Sequence, residues 1–424
     1  MEKIVYDTYV QILNHELIAA MGCTEPIAIA YAGAVARKYL NKALPEKVVV
    51  SCSSNIVKNV KGVVVPNSGG MRGIGLAAML GLVGGDPDDE LSVLQSITDE
   101  ERETAKRLLN EGVCKAELVE GVANLYIVVH AEAQGHVVEV EITDTHVNIT
   151  RLVVDGEVLL QKQRDTKNWK GEPDKSLLNL RDIITFAETV DLKDVETVIR
   201  RQINYNSAIS EEGLKNNWGA CIGKTLMQGE DRSLEARARA AAAAGSDARM
   251  NGCPLPVVIN SGSGNQGITI TMPIVVYAKE MGADEEKLMR AMVLGNLVSL
   301  HQKRYIGSLS AYCGATSAAC GAACAIVWMQ GGSYEQIADT ITNAIATVGG
   351  MVCDGAKSSC AGKISVAVAT ALDAARLAMK GHVYQPGEGL VKNDVEETIA
   401  AVGRMGREGM KSTDVEILHI MLEE

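Results

Sequence analysis

Cysteine is the residue type with the most chemical range in this chain, and it is clustered. Five of the ten cysteines lie between positions 311 and 360: Cys313, Cys320, Cys324, Cys353 and Cys360. Thiols either fill a tight helical core as small hydrophobes or ligate a metal. The second half of the cluster favours ligation. Cys353 and Cys360 bracket Asp354-Gly355-Ala356-Lys357-Ser358-Ser359, a polar loop ill suited to apolar packing. The alanine-rich run from Cys313 to Cys324 reads as one helix. Seven residues along it is a rise of roughly 10 Å, so Cys313 and Cys320 cannot both reach one compact group. The helix then contributes one ligand, or the one-turn pair Cys320 and Cys324, and the 353–360 loop contributes two. Three thiolates on a cubane cluster leave one iron open, the mark of a catalytic metal site. Three thiolates also suit zinc, and composition does not choose between the metals.

Other stretches have the composition of a substrate site. Cys23 lies in Met21-Gly22-Cys23-Thr24-Glu25-Pro26 between two helical runs, with Thr24 as a cap and Pro26 in the first turn of the second. The positive end of a helix lowers a thiol pKa, which would make Cys23 reactive; a buried small residue at a turn is the equal alternative. Asn67-Ser68-Gly69-Gly70-Met71-Arg72-Gly73-Ile74 is echoed by Asn260-Ser261-Gly262-Ser263-Gly264-Asn265-Gln266-Gly267-Ile268 with one residue inserted. Such loops form anion-binding concavities from backbone N–H groups and hydroxyls. No Walker-type Gly-Lys-Ser follows, so a carboxylate is the expected guest. Asn67 and Ser68 in one loop, and Ser261, Gly262, Ser263, Gly264, Asn265 and Gln266 in the other, are the candidate substrate contacts. Lys303, His301 and Lys357 are further candidates for acid–base work or charge support, each with an ordinary structural reading beside it.

The elements that must position these residues follow from the patterning. Residues 4–39 read as helices broken near 21–26. Residues 47–53 and 60–66 read as strands, and alternation within 116–156 reads as antiparallel strands with one solvated face. Thr98-Asp99-Glu100-Glu101 opens a charged helix. The polar run Gln161–Lys175 reads as a linker. From Leu177 onward the pattern is helical almost throughout. The expected fold is α+β: an antiparallel-sheet region over 1–168 (helices within 4–39, strands within 47–160), then an all-α cysteine-bearing catalytic region over 169–424. With 4% aromatics, a single Phe and abundant Gly and Ala, the helices should pack backbone-close. A net charge of −12 without a long basic tract argues against nucleic acid. No signal-peptide core or charge-free span is evident, so no membrane partner and a cytoplasmic location are expected, where thiols serve metal or redox chemistry.

Gly22-Cys23-Thr24-Glu25-Pro26, the 261–267 loop, Ile306-Gly307-Ser308-Leu309-Ser310-Ala311-Tyr312-Cys313-Gly314, and Cys353-Asp354-Gly355-Ala356-Lys357 with Cys360 together resemble the L-cysteine desulfidase family, akin to the α region of iron–sulfur L-serine dehydratases. The resemblance covers nearly the whole chain. It implies an oxygen-sensitive [4Fe–4S] cluster with one open iron, held by Cys313, Cys353 and Cys360, and a catalytic role for Cys23. It also implies α,β-elimination from L-cysteine to sulfide, ammonia and pyruvate. The serine dehydratases carry a cysteine near the C-terminus beside the cluster. This sequence ends Leu418-His419-Ile420-Met421-Leu422-Glu423-Glu424 without one, which weighs toward a carbon–sulfur lyase.

On this reading the partner is a small amino acid, and a homodimer stays open. Cys23 is the first candidate for the base that removes the α-proton and Lys303 the next. Alternatives are serine deamination of the dehydratase type, a non-catalytic iron–sulfur or zinc protein, and a pyridoxal-phosphate lyase. The last lacks both a lysine motif and an alternating βα pattern.

Overall fold

The computed structural model describes residues 1–162, 173–307 and 309–423. Most of the expected linker, residues 163–172, and Ser308 lie outside the described residues.

The chain opens with α1 (Lys3–Glu16), β1 (Ala19–Met21) and α2 (Thr24–Tyr39). β2 (Lys47–Ser53), α3 (Ser54–Lys61), α4 (Ile74–Gly84) and α5 (Asp99–Asn110) follow. Thr98 and Glu101 close the expected capping box on α5. The strand expected over 60–66 does not form: residues 54–61 are helical and only Val64 bridges to Arg72. Ile56, Val57 and Val60 are β-branched, yet their spacing puts them on one buried helical face, and burial overrides propensity.

β3 (Cys114–Val119), β4 (Tyr126–Ala133), β5 (His136–Thr143), β6 (Ile149–Val154) and β7 (Glu157–Gln161) complete a sheet of order β3-β2-β4-β5-β6-β7. It is antiparallel except for the β2–β3 pair, which is parallel. β4 buries Ile127, Val129, Ala131 and Ala133 on alternate positions, and α2 covers that face, packing against β4 and β5. Thr24 to Ala36 of α2 are buried throughout, because α4 covers its other side.

The second half holds α6 (Leu180–Thr189), α7 (Glu196–Lys215), α8 (Ile222–Gln228), α9 (Leu234–Met250), β8 (Pro256–Val258), α10 (Gly264–Met281) and α11 (Glu285–Ile306). Then come α12 (Ala315–Met329), α13 (Tyr334–Val348), α14 (Cys360–Met379), α15 (Val395–Arg404) and α16 (Lys411–Leu422). The α+β class is therefore as expected, with β8 the exception to an all-helical second half. β8 pairs antiparallel with β1, Ala19 opposite Val258, which ties the two halves together just ahead of the candidate loops.

α12 sits centrally, wrapped by α10, α11, α13 and α14. Small residues make that possible: a Cβ on Gly321 of α12 would come within 2.3 Å of the Gly295 carbonyl of α11. Among the described residues no helix is long and apolar enough to cross a membrane.

Candidate active site

Cys313 stands ahead of α12, not inside it, so the helix expected from 313 onward begins two residues late. The backbone is diverted by a short antiparallel pairing centred on Tyr312 and Val352. The Cys313 amide donates to the Met351 carbonyl (2.8 Å) and the Cys353 amide to the Ala311 carbonyl (2.7 Å). Side chains alternate along an extended segment, so Cys313 and Cys353 share the face opposite Tyr312 and Val352. Their thiols are hydrogen-bonded. Cys360 is the first residue of α14, and its Sγ donates to the Gly355 carbonyl at 3.7 Å. Gly355 has φ +93°, and a Cβ there would meet the Lys58 carbonyl at 2.3 Å, so this turn requires glycine. Cys320 and Cys324 are fully buried within α12, away from this turn in kind and in role.

Cations surround the thiols. Lys58, only 2% exposed, pairs with Asp414 of α16 and donates to the Cys353 carbonyl (3.4 Å). Lys363 donates to the Val352 carbonyl (2.7 Å) and pairs with Asp354. Lys357 closes on the Asp354 carboxylate at 2.6 Å, a pair internal to the loop. Lys303, buried in the last turn of α11, is pushed down to about 8 by burial against the opposing pull of Cys353 and Cys313. The hydrogen bond from Cys313 makes Cys353 the more acidic thiol, with Lys58 and Lys363 supporting its thiolate and burial opposing it. Cys313 is correspondingly held protonated. Burial raises Cys360.

These residues fit an iron–sulfur cluster by donor chemistry. Thiols from separate segments share one wall, and buried lysines and helix starts offset the charge of the thiolates and an anionic cluster. Among the described residues no group of three or more His, Cys, Asp or Glu is arranged to hold a single metal ion.

Cys23 meets Cys360 from the α2 side. It is the N-cap residue of α2, displacing Thr24 from that expected role. With Val63 and Met250 it forms a small apolar cluster against which Ala356 and Cys360 pack. Its thiol donates to Glu25 Oε2 at 3.0 Å. Glu25 Oε1 accepts from Asn59 Nδ2 (2.9 Å), and Oε2 also accepts from Thr24 Oγ1 (3.2 Å). The expected lowering of the Cys23 pKa is overturned: burial first, then the Glu25 carboxylate, push it well above the usual thiol range. The helix end is present, but desolvation of a fully enclosed thiolate outweighs a partial charge.

The two look-alike loops part company. Asn67 Nδ2 donates to the Leu94 carbonyl (2.9 Å), its Oδ1 accepts from Arg102 (3.0 Å), and Ser68 Oγ donates to the Met71 carbonyl (2.9 Å). Their polar groups are used within the protein. The 260–266 loop turns toward the cysteines. Thr24 Oγ1 donates to the Gly262 carbonyl at 3.0 Å, joining the starts of α2 and α10. Ser261 (φ +49°) and Gly262 (φ +74°) form the turn, Ser263 is the N-cap, and Gly264 opens α10. Gln266 lies against Gly314, where a Cβ would come within 2.5 Å of its amide, directly beside Cys313. Asn265 Oδ1 and Gln266 Oε1 are buried without hydrogen-bond partners. The starts of α2, α10, α12 and α14 thus converge, a positive environment suited to anions.

Glu25, His146 and Arg249 join the site without having been singled out. Glu25 lies in the Gly22–Pro26 segment, but only the packing of Asn59 shows it as a carboxylate held beside a thiol. His146, in the β5–β6 turn, comes near Gly262 and has a buried, unpartnered Nε2. Arg249 closes an alanine-rich helix and gave no local signal. His301 is fully buried with Nε2 2.6 Å from Glu396 Oε2, a packed pair between α11 and α15.

The model of the serine dehydratase alpha chain matches residues 88–419. The chain is 43% identical to the UPF0597 protein of Treponema denticola over 430 residues, covering all of both chains. It is 47% identical to the UPF0597 protein of Finegoldia magna over 417 residues, 98% of this chain and 99% of the relative. The matched region contains the cysteine pocket and the 260–266 loop but begins beyond Cys23. This chain belongs to the serine dehydratase alpha chain family.

Proposed function

We propose that the protein is an iron–sulfur-dependent lyase that eliminates sulfide from L-cysteine. Family membership supports a lyase related to serine dehydratases, in a family generally associated with iron–sulfur chemistry. Cys313, Cys353 and Cys360 would hold a [4Fe–4S] cluster. When bound, such a cluster with one iron free of protein ligands supplies Lewis-acid chemistry toward a β-leaving group.

The chain's own residues account for the rest. The start of α10, with Ser261 to Gln266, receives the charged end of the amino acid. Cys23 serves as the base at Cα. Cys23 Sγ takes the α-proton as its own proton moves to Glu25 Oε2, 3.0 Å away, so that no free thiolate has to form first. The net result is one proton moved from Cα to Glu25 as the carbon–sulfur bond breaks. Products are sulfide and aminoacrylate, which water converts to pyruvate and ammonia. Lys303, buried beside Cys313 and Cys353, is the reserve base. The apolar cluster of Val63, Met250 and Cys23 keeps water from the thiol.

The observation that supports this most directly is the meeting of the Cys23–Glu25 pair with Cys360 in one packed cluster. Serine deamination is the second reading, favoured by the description of the matching family. Anaerobic assays with L-cysteine and L-serine, measuring sulfide and pyruvate, decide between them. Sulfide release with kcat/KM well above that for serine is expected. Pyruvate from serine at the higher efficiency would move the protein to the dehydratase side, and turnover of neither would end the lyase reading.

A further inference from the structure

One buried charge beside this site has no ion-pair partner among the described residues. Arg249, the penultimate residue of α9, is 2% exposed. Its Nε is buried with no hydrogen-bond partner, and no described carboxylate pairs with the guanidinium. The nearby Glu25 carboxylate is already engaged by Asn59, Thr24 and Cys23. Burying an unpaired cation is costly, and a fold retains one most readily when a ligand brings the anion.

The surroundings specify that ligand. A Cβ on Gly264 would come within 2.4 Å of Arg249 Nε, so the guanidinium lies along the first turn of α10. That helix has no side-chain cap, leaving its first N–H groups available. On the same turn, Asn265 Oδ1 and Gln266 Oε1 are buried acceptors with no donor. The site thus brings together a guanidinium whose Nε has no partner, free backbone donors, and unpartnered acceptors on the adjoining residues.

We propose that this is a socket for the zwitterionic end of an α-amino acid. Arg249 and the first-turn N–H groups of α10 hold the α-carboxylate, and the side-chain oxygens of Asn265 and Gln266 accept from the α-ammonium. The inference rests on the lyase reading for the identity of the reaction, and adds the residues that choose the substrate class. An amine alone or a carboxylate alone leaves half of the socket unsatisfied, and a site built to hydrogen-bond a group discriminates strongly against ligands lacking it.

The test compares wild type with Arg249→Met and Arg249→Lys, prepared anaerobically. Thermal melts are recorded with L-alanine, ethylamine or propionate, unreactive probes that carry both charges, the ammonium only, or the carboxylate only. Without ligand, Arg249→Met should melt at a higher temperature than wild type, because it removes an uncompensated charge. L-Alanine should raise the melting temperature of wild type and not of Arg249→Met; ethylamine and propionate should raise neither. In steady-state assays KM for L-cysteine should rise about 100-fold or more in Arg249→Met, the scale of a lost buried charge pair. If Arg249→Met does not fold, Arg249→Lys carries the same comparison, with a weaker alanine response than wild type. An equal response to L-alanine in wild type and variants, or a response to propionate as large as that to L-alanine, overturns the socket. Absence of any response in wild type overturns it as well. Failure to release sulfide with an intact, Arg249-dependent alanine response sinks only the lyase reading; sulfide release with an unchanged KM in both variants sinks only the socket.

Discussion

The starts of the central helices and their interiors use the same residue types for different ends. Cys320 and Cys324 lie inside α12 at no measurable exposure, packed as small hydrophobes. Cys313 and Cys360 stand at the starts of α12 and α14, and Cys353 in the loop between them, among Lys58, Lys303 and Lys363. The difference is positional. A helix interior has spent its backbone N–H groups and offers a thiol only apolar neighbours, whereas a helix start presents unpaired donors and a positive field. Of these thiols only Cys353 is made more acidic, by the hydrogen bond from Cys313 with Lys58 and Lys363 in support, while the same bond raises Cys313 and burial raises Cys360.

The largest expected effect separates the two cysteine groups. Cys313→Ala, Cys353→Ala or Cys360→Ala should each lose a cluster that in the parent holds about four irons and four sulfides per chain. Activity should fall to background in each. Cys320→Ala and Cys324→Ala should keep the metal and lose only about 1 kcal/mol of stability, the scale of a small buried deletion. Iron and acid-labile sulfide analysis reads the first group and chemical denaturation the second. Metal retained in Cys313→Ala and lost in Cys320→Ala would reverse the contrast.

The next effect tests the start of α2. Cys23→Ser should keep the cluster and reduce turnover by roughly 100-fold, with slower exchange of the substrate α-proton into solvent. Glu25→Gln should show the same signature, since it removes the acceptor 3.0 Å from the thiol. Undiminished proton exchange in both variants would pass the base role to Lys303.

A smaller effect sets the two look-alike loops against each other. Asn265→Ala should raise KM about 10-fold with little change in stability, because its side-chain oxygen has no partner inside the protein. Asn67→Ala should do the opposite, losing about 1–3 kcal/mol of stability as its bonds to Leu94 and Arg102 go, with KM unchanged. Matching KM effects in the two variants would mean that both loops face the substrate.

The smallest effect concerns a charge inside α9. Asp247 accepts from the Gly223 amide (2.9 Å), but its Oδ1 is buried without a partner, and burial raises its pKa to about 6. In the unfolded chain it titrates near 3.9, at about the ordinary value. The folded state therefore keeps the proton longer, and stability declines as pH rises from about 4 to about 6. Asp247→Asn should flatten that decline. Denaturant midpoints measured across this pH range check the slope; a slope unchanged by the substitution would place its origin elsewhere.

Local pattern was enough for several features of this molecule. The alternation in β4, the capping box at Thr98, and the break between α1 and α2 are written in neighbouring residues, because side-chain periodicity and caps are local physics. The cysteine loop was legible for the same reason: a Gly at positive φ between polar residues reads as a turn wherever it occurs. Tertiary structure decided the rest. The strand expected over 60–66 gave way to a helix over 54–61, because Ile56, Val57 and Val60 found a buried face. Cys313 left its helix because residues 311–313 pair with 351–353, some forty positions away. Two nearly identical loops diverged because Arg102 reached one and Arg249 the other. The acidity of Cys23 reversed once its burial and the Glu25 carboxylate were in place. Hydrogen-bond partners, desolvation and counter-charges come from residues distant in sequence, and those set which of several chemically able groups is left free to act.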